Sequence, residues 1–310
     1  MKKKIAVVDC GTNTFNLLIT GLSNKKLTIS AKKKRVVKLA EDTGTPLIIS
    51  EKATSRAILA LANFKKEIKK SAINPLSIYC VGTSAIRDAA NKDEFIQIIK
   101  RETGLIIHPI DGLKEADYIF EGILNEGIFK DECVLIMDIG GGSVEFIVSK
   151  NQKIIWKDSF KLGAARILNT VNPDFPFSTH QKTIINHLFK TQLKSLLTAI
   201  EKFNPCILIG SSGSFDSLIA IRNKNVFLSS KHKVTNQLTV HDFQIIYDEL
   251  VKKDYSSLLK TPGLLRMRAK MIVPSIMLIK FVLQKMNNPT LLVSKYSLKE
   301  GLAFSILNKK

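Results

Sequence analysis

The stretch VLIMDIGGGSVEFIVS, residues 134–149, decides the fold class. Two apolar runs flank three glycines with an acid on each side, and AVVDCGTNTFNLLIT, residues 6–20, has the same layout. In a chain of 310 residues, a repeated pattern of this kind indicates two copies of one strand–turn–strand unit. At an offset of 129 residues the matched pairs are Asp9 with Asp138, Gly11 with Gly140, Thr14 with Ser143, and Asn16 with Glu145.

Length and composition predict about two domains without a membrane span. The chain is 45% hydrophobic with a mean hydropathy of +0.08, and no apolar run approaches the roughly 20 residues of a spanning helix. Asp9 and Asn13 interrupt the apolar residues after the basic start, so we expect no secretion signal. Four scattered cysteines without CxxC or zinc spacing favour reduced thiols and a cytoplasmic protein.

The net charge of +20 favours polyanionic partners. Nucleic acid, anionic lipid and phosphorylated substrates are all compatible with it. Alternatively, the charge reflects abundant lysine on solvated surfaces, because only eight of the 47 basic residues are arginine.

Strands alternate with helices along the chain, which predicts an α/β class with mixed sheets. Ser50 is a candidate N-cap and Gly104 a candidate C-cap. No low-complexity linker separates the halves, so we expect them to pack around a cleft. The predicted strands are 4–10, 15–20, 25–30, 34–39, PLSIYCVG, LIIHPI, 133–138, 143–149, 153–160, CILIG and LLVSK. The predicted helices are 51–70, 84–89, 91–103, 113–126, several up to 201, 212–221, 263–286 and a closing helix, with a loop at 223–238.

The two glycine-containing turns are candidate phosphate sites. Glycine lets backbone N–H groups converge on an anion without interference from Cβ atoms, and Thr12 and Thr14 add hydroxyls. A single turn of this kind is more often an ordinary tight hairpin. Two copies with matched acids favour two hairpins that grip phosphates from opposite sides of a cleft.

Acids beside these turns predict a hard divalent cation. Asp138 ends an apolar strand, Glu145 follows seven residues later, and Asp9 holds the matching place in the first turn. Bare carboxylates would repel a phosphate, so Mg²⁺ is the expected mediator. An exposed strand acid is the alternative for Glu145, and the apolar residues after it disfavour that interpretation.

Two further stretches could serve the same chemistry. VGTSAIRDAAN, residues 81–91, leaves a strand and enters a helix, which places Arg87 where an anion would bind. IDGLKEADYIFEGI, residues 110–123, puts Glu115 in the first turn of a helix. By itself, the first stretch is equally compatible with a capped helix bearing a surface arginine. The second is by itself more typical of a solvated helical glutamate.

Together, DCGTNTFNLLI, GTSAIRDAAN, IDGLKEADYIFEGI and DIGGGSVEFI resemble the Ppx/GppA family of exopolyphosphatases and guanosine pentaphosphate phosphohydrolases. FKLGAARI, ILIGSSGSFDSL, RAKMIVPSIMLI and SLKEGLAFSIL extend the resemblance over nearly the whole chain. It implies two duplicated actin/Hsp70/hexokinase-like (ribonuclease H-like) domains with mixed sheets around a central cleft. The expected domains are residues 1–125 with a C-terminal helix at about 297–310, and residues 126–296.

The resemblance also implies Mg²⁺-dependent release of the terminal phosphate from a phosphoanhydride chain. It assigns Glu115 as the catalytic carboxylate that orients and deprotonates the attacking water. It assigns Asp138, Glu145 and Asp9 as metal ligands. The implied phosphate-binding residues are Gly11, Thr12, Asn13, Thr14, Ser84, Arg87, Gly140, Gly141, Gly142 and Ser143, with Arg166 and Arg268 in similar segments.

The sequence departs from the family pattern in a few places. Lys114 stands where a second acid is frequent, and Lys299 where an arginine is usual. SSGS at 211–214 replaces a Gly-rich Gly-Thr pattern, which leaves a nucleotide role open there. We expect no counterpart of the helical HD-type extension of longer members, so the resemblance does not predict processive action on long polyphosphate.

The first prediction is a cytoplasmic exopolyphosphatase acting on inorganic polyphosphate, with no membrane or specific nucleic-acid partner and a homodimer by family habit. The alternative substrate is guanosine pentaphosphate (pppGpp) or tetraphosphate, although five tyrosines and one tryptophan offer few groups to stack on guanine. An actin-like kinase would need an adenosine motif. A nucleic-acid binder would need clustered arginines and exposed aromatics. A non-catalytic protein that binds polyphosphate or alarmones is the remaining alternative.

Overall fold

The computed structural model describes residues 4–308 except 42, 43, 45 and 225–236. The chain divides into two compact units. Unit 1 comprises Met1–Asn125 and Tyr296–Lys310, and unit 2 comprises Glu126–Lys295. Within the described residues, no helix combines the length and apolarity that a membrane crossing requires.

Unit 1 contains a five-stranded sheet in the order β3-β2-β1-β4-β5. β1, β2 and β3 form an antiparallel meander, and β4 and β5 run parallel to β1. The elements are β1 (Lys4–Cys10), β2 (Thr14–Ser23), β3 (Lys26–Val36), α1 (Glu51–Lys70), β4 (Ile78–Gly82), α2 (Ser84–Asp88), α3 (Lys92–Thr103), β5 (Ile107–Pro109) and α4 (Gly112–Glu126).

Unit 2 contains a second five-stranded sheet, in the order β8-β7-β6-β9-β10. The strands are β6 (Val134–Ile139), β7 (Val144–Lys150), β8 (Lys153–Phe160), β9 (Ile207–Ser211) and β10 (Thr290–Val293). The helices are α5 (Ala164–Val171), α6 (Thr179–Gln192), α7 (Lys194–Phe203), α8 (Ser212–Lys224), α9 (Val240–Leu250), α10 (Tyr255–Leu259) and α11 (Ala269–Leu283).

The two sheets have the same topology. In each, the first three strands form a meander and the two later strands continue beside the first, parallel to it. The register also repeats, because Asp9 pairs with Asn16 in unit 1 and Asp138 pairs with Glu145 in unit 2. The predicted α/β class with duplicated mixed-sheet domains is therefore confirmed.

Burial explains why these strands are predominantly apolar. Every residue of β6 is buried, as expected for the central strand of its sheet, and α8 packs against it. β3 lies at the edge of its sheet and is mostly exposed, and its run of lysines at 32–34 opposes pairing with another strand. Phe64 of α1 and Phe95 of α3 pack into the core of unit 1.

The last helix, α12 (Leu298–Leu307), returns to unit 1. It packs on β1 and β2 and lies very close to α4. A Cβ at Gly301 would overlap the carbonyl oxygen of Tyr118, and one at Gly122 would overlap the carbonyl oxygen of Ser297. Ser297 and Glu300 form a capping box at its start. Glycines at this crossing therefore allow the two helix backbones to approach.

Three local predictions differ from the structure. The strands expected at 25–30 and 34–39 are one strand, β3, which stays paired with β2 through a register shift at Ile19/Thr20. The helix expected from 263 begins only at Ala269, because Gly263 has a φ of +85° and a short 3₁₀ turn at Arg266–Arg268 precedes the helix. α9 and α10 were not predicted. Residues 225–236 of the expected 223–238 loop lie outside the described part of the chain.

Candidate functional site

The two predicted turns have the same internal geometry. In the β1–β2 turn the Gly11 N–H donates to the Thr14 carbonyl at 3.1 Å, and in the β6–β7 turn the Gly140 N–H donates to the Ser143 carbonyl at 3.0 Å. A Cβ at either glycine would stand 3.0 Å from that same carbonyl oxygen. Each turn is therefore closed by a short contact that favours glycine at its first position.

In unit 2, the start of α5 binds the carbonyl side of the turn. Its first N–H groups and one side chain donate to three consecutive turn carbonyls. These bonds are Ala164 N to Gly140 O (3.1 Å), Ala165 N to Gly141 O (2.9 Å), Arg166 N to Gly141 O (3.1 Å) and Arg166 Nε to Gly142 O (3.0 Å).

This arrangement orients the amides of the turn. In a trans peptide the N–H points opposite to the C=O of the same peptide plane. Since the carbonyls of Gly140, Gly141 and Gly142 face α5, the N–H groups of Gly141, Gly142 and Ser143 point away from it. Three successive amides on one side of a turn form a concave anion site. Arg166, assigned to phosphate by resemblance, fixes this turn through its Nε.

The turn of unit 1 is held in a similar way by the segment after β3. The Thr12 carbonyl accepts from Leu39 N at 2.7 Å, and the Asn13 carbonyl accepts from Val37 N at 2.9 Å and Lys38 N at 3.0 Å. By the same peptide geometry, the next two amides, at 13 and 14, point away from that segment. Both turns thus present N–H groups on the side opposite the chain that follows the third strand.

Asp138 and Glu145 lie side by side at the end of the β6–β7 hairpin, since they are direct partners in the antiparallel register. Both are buried, with exposures of 6% and 1%. Ser211 and Ser212 both donate to Asp138 Oδ2, the latter at 3.0 Å, and Ser159 donates to Glu145 Oε1 at 2.7 Å. Sequence reasoning did not identify these three serines as neighbours of the acids.

The equivalent place in unit 1 has a different character. Asp9 accepts a hydrogen bond from Asn16 Nδ2 at 3.0 Å, so an amide stands where unit 2 has its second carboxylate. Unit 1 therefore offers one acid at this position, while unit 2 offers two. The role of Asp9 as a metal ligand stays a prediction.

A further group lies where β4 and β5 end. Arg87 Nη1 donates to the Ile110 carbonyl and to Glu115 Oε2, both at 3.2 Å. Glu115 is only 8% exposed, so it is a buried, ion-paired carboxylate and not a solvated one. The Ser84 hydroxyl is also buried and has no hydrogen-bond partner among the described atoms. An oriented carboxylate, a guanidinium and an unpartnered hydroxyl therefore occupy one edge of the sheet of unit 1.

Arg268 lies against the first turn of α8. Its guanidinium occupies the space that a Cβ of Gly213 would need, so glycine is required there. Burial lowers the pKa of Arg268, while the carboxylates of Asp216 and Asp138 act in the opposite direction. A cation therefore stands close to the acid pair in unit 2.

The predicted residues form one set in each unit. The prediction that both sets line one cleft stays a prediction. Unit 1 holds Asp9, Gly11, Thr12, Asn13, Thr14, Ser84, Arg87 and Glu115. Unit 2 holds Asp138, Gly140, Gly141, Gly142, Ser143, Glu145, Arg166 and Arg268.

The acid pair of unit 2 is chemically suited to Mg²⁺. No group of three or more His, Cys, Asp or Glu side chains clusters within the described residues. Mg²⁺ commonly binds through one or two carboxylates and completes its shell with phosphate oxygens and water. Asp138 and Glu145 provide such a small, all-oxygen donor set, and they could hold the ion together with a phosphorylated substrate.

The two lysines that depart from the family pattern are engaged locally. Lys114 Nζ lies 4.9 Å from the centre of the Tyr118 ring. Lys299 Nζ lies 3.1 Å from Glu300 Oε2 and donates to Ser297 at 3.2 Å. Lys299 therefore contributes to the capping region of α12.

A model of the Ppx/GppA phosphatase family matches residues 18–310. A bifunctional 3-dehydroquinate synthase/phosphatase of Fusobacterium nucleatum is 32% identical over 303 residues, which are 94% of this chain and 44% of that protein. The chain thus spans less than half the length of that relative. Exopolyphosphatase 1 of Mycobacterium leprae is 22% identical over 99% of this chain and 90% of its own length.

Two solved structures are similar to this chain over nearly its full length. The crystal structure of an exopolyphosphatase from Cytophaga hutchinsonii matches with a TM-score of 0.92 and 33% identity, covering 99% of this chain and 98% of that one. An Aquifex aeolicus member of the Ppx/GppA family matches with a TM-score of 0.80 and 24% identity, covering 100% and 99%. The second likeness supports the fold alone.

Proposed function

Because the chain belongs to the Ppx/GppA phosphatase family, we propose that it is a Mg²⁺-dependent exopolyphosphatase that releases the terminal phosphate of inorganic polyphosphate. The observation that carries this proposal is the ion pair between half-buried Arg87 and buried Glu115, in the unit that bears the first glycine turn. A general base for water must be oriented, and a phosphate needs positive charge and N–H donors nearby. Glu115, Arg87 and the amides of the glycine turns would supply these groups.

The mechanism follows from what each group can do. Phosphoryl transfer depends on positioning and on neutralising charge more than on covalent chemistry. The amides of residues 141–143 and 13–14 would receive phosphate oxygens, and Arg87 would contact the phosphate while it orients Glu115. Glu115 would accept a proton from the attacking water. Asp138 and Glu145 would hold Mg²⁺, which supplies charge neutralisation when bound.

Inorganic polyphosphate is the preferred substrate for two reasons. The net charge of +20 favours capture of a long polyanion. A guanosine substrate would gain from aromatic surface on which its base could stack. Among the described Phe, Tyr and Trp side chains, only Tyr255 is exposed, and it lies beside Phe175 and Lys270. The described part of the chain thus offers little surface for a guanine ring.

The proposal is tested by phosphate release from medium-length polyphosphate and from pppGpp, each with and without Mg²⁺. We expect release from polyphosphate that requires Mg²⁺ and falls about 10³-fold in kcat for Glu115→Gln. Glu121→Gln is the matched control, because Glu121 lies in the same helix and, within the described residues, its carboxylate accepts a hydrogen bond from nearby Asn125 Nδ2 at 3.0 Å.

The outcomes separate the alternatives. Release mainly from pppGpp would replace the substrate and leave the chemistry in place. Release that Glu115→Gln leaves intact would remove Glu115 from the mechanism. No release from either compound, together with tight polyphosphate binding, would show a binding protein in place of an enzyme.

A further inference from the structure

The structure holds Ser212 in a backbone conformation that serine seldom adopts. Its φ is +71°, in the left-handed region, where residues with a Cβ are disfavoured and glycine is preferred. Most other described non-glycine residues with positive φ lie in hairpin turns or just after the last residue of a helix, and five of them are asparagine, which tolerates this region. Ser212 instead lies at the junction where β9 passes directly into α8. Strain of this kind persists when other contacts hold the residue in place.

The contact that accompanies this strain is a hydrogen bond to the acid pair. The Ser212 hydroxyl donates to Asp138 Oδ2 at 3.0 Å, and the Ser211 hydroxyl donates to the same oxygen. Ser211 is also the register partner of Asp138 in the parallel pairing of β6 with β9. Two hydroxyls on one carboxylate oxygen fix both the rotation and the position of that carboxylate.

The duplicated unit provides an internal comparison. In unit 1 the register partner of Asp9 is Val81, and the next residue is Gly82. Neither side chain can donate a hydrogen bond, and Asp9 receives one from Asn16 instead. The serine pair therefore occurs in the unit whose hairpin carries two adjacent carboxylates. A glycine in place of Ser212 would avoid the backbone strain but would lose a donor to Asp138.

We infer that Ser212 is a positioning residue that orients Asp138 for the divalent cation, and that it does so at the expense of local stability. The inference rests on the proposed function, since it assumes that the acid pair holds the cation. Groups that hydrogen-bond a metal ligand typically change metal affinity by about 10–100-fold when removed. Removal of the Ser212 hydroxyl should therefore weaken cation binding, while the hydrogen bonds between α5 and the β6–β7 turn stay intact.

The test compares Ser212→Gly with Ser212→Ala. Thermal unfolding is measured without metal, and Mn²⁺ binding to the substrate-free protein is measured by electron paramagnetic resonance. Ser212→Gly should raise Tm by about 2–4 °C because the strain is relieved, and should weaken Mn²⁺ binding about tenfold. Ser212→Ala should weaken binding to a similar degree without raising Tm, because it keeps the strained backbone.

Two matched controls isolate the effects. Gln152 has a φ of +59° in the β7–β8 hairpin, so Gln152→Gly should raise Tm and leave Mn²⁺ binding unchanged. Ser217 donates to the Gly213 carbonyl within α8, so Ser217→Ala tests the loss of a different buried hydroxyl from the same helix. Ser217→Ala should leave Mn²⁺ binding unchanged.

Wild-type Mn²⁺ affinity in both Ser212 variants would overturn the role of Ser212 alone. A lower Tm for Ser212→Gly would overturn the claim that the Ser212 backbone is strained and that this strain lowers the stability of the protein. Absence of Mn²⁺ binding in the wild-type protein would overturn this inference together with the cation requirement of the proposed function.

Discussion

Replacement of Gly163 by alanine should displace the β6–β7 turn of unit 2 through a single added carbon. Gly163 precedes α5 with φ −63° and ψ 153°, which alanine adopts without strain, so the effect comes from the contact alone. An added Cβ would overlap the backbone of Gly141 and Gly142. To relieve this overlap, the start of α5 and the turn must separate by about 1 Å.

The size of the effect follows from the bonds at this junction. Three backbone hydrogen bonds of 2.9–3.1 Å join α5 to the turn, and a separation of that size breaks them. At about 1 kcal/mol each, their loss lowers the free energy of unfolding by about 3 kcal/mol, which corresponds to a fall in Tm of about 6–12 °C. Displacement of the turn amides by about 1 Å should also lower kcat/KM for polyphosphate by about 100-fold.

The assay is thermal unfolding combined with phosphate release, on a graded series of Gly→Ala variants. Gly11→Ala and Gly140→Ala bring the new Cβ to 3.0 Å from a turn carbonyl, which a shift of a few tenths of an ångström relieves, so both should have smaller and similar effects. Gly44→Ala meets no atom of the described residues within 4 Å and should behave as wild type. A Gly163→Ala protein that matches Gly44→Ala in Tm and kcat/KM would refute the argument that α5 holds the turn.

Two further predictions concern buried ionisable groups. Burial raises the pKa of Glu300, but Lys299 and Lys32 lower it by more. The pKa of Glu300 therefore lies below its ordinary value. Its contribution to stability is therefore complete above about pH 4.3 and is lost as the pH falls below that, so Glu300→Gln should flatten the acid-side decline of the free energy of unfolding in urea titrations. An unchanged decline would contradict this. Burial raises the pKa of Cys80 to about 12 and also raises that of Cys10, so iodoacetamide at pH 8 should label exposed Cys206 and spare both until urea unfolds the protein, as read by mass spectrometry. Labelling of Cys80 in the folded protein would count against its burial.

The parts of the candidate site that lie within one hairpin could be predicted from the sequence. Asp138 and Glu145 are seven residues apart, and a tight turn between two strands leaves few registers in which they could pair. The 129-residue repeat then supplied the same geometry for Asp9 and Asn16. Short separation along the chain and an internal copy made these predictions possible.

The partners that complete the site come from distant positions. Ser211 and Ser212 reach Asp138 from more than 70 residues away, and their role depends on which strand lies beside β6. No periodicity in the sequence specifies that neighbour. The backbone strain at Ser212 could not be predicted from the sequence either, because it depends on how β9 joins α8.

The errors in the predicted helices have more local causes. The apolar pattern of α11 continues back through residues 264 and 265, so periodicity alone extended the helix past the left-handed Gly263. The sequence of α9 has two signals of a helix, namely Thr239 as an N-cap and the spacing of Phe243 and Ile246, which are buried in the structure.

The position of α12 in the chain sets an order for folding during synthesis. Unit 2 is one continuous stretch of about 170 residues, and it is made between α4 and the helix that covers β1 and β2. At about 5–20 residues per second, the first unit waits on the order of ten to thirty seconds for its last element. The strand faces that α12 covers therefore stay open to water and to chaperones until the whole of unit 2 has been synthesised.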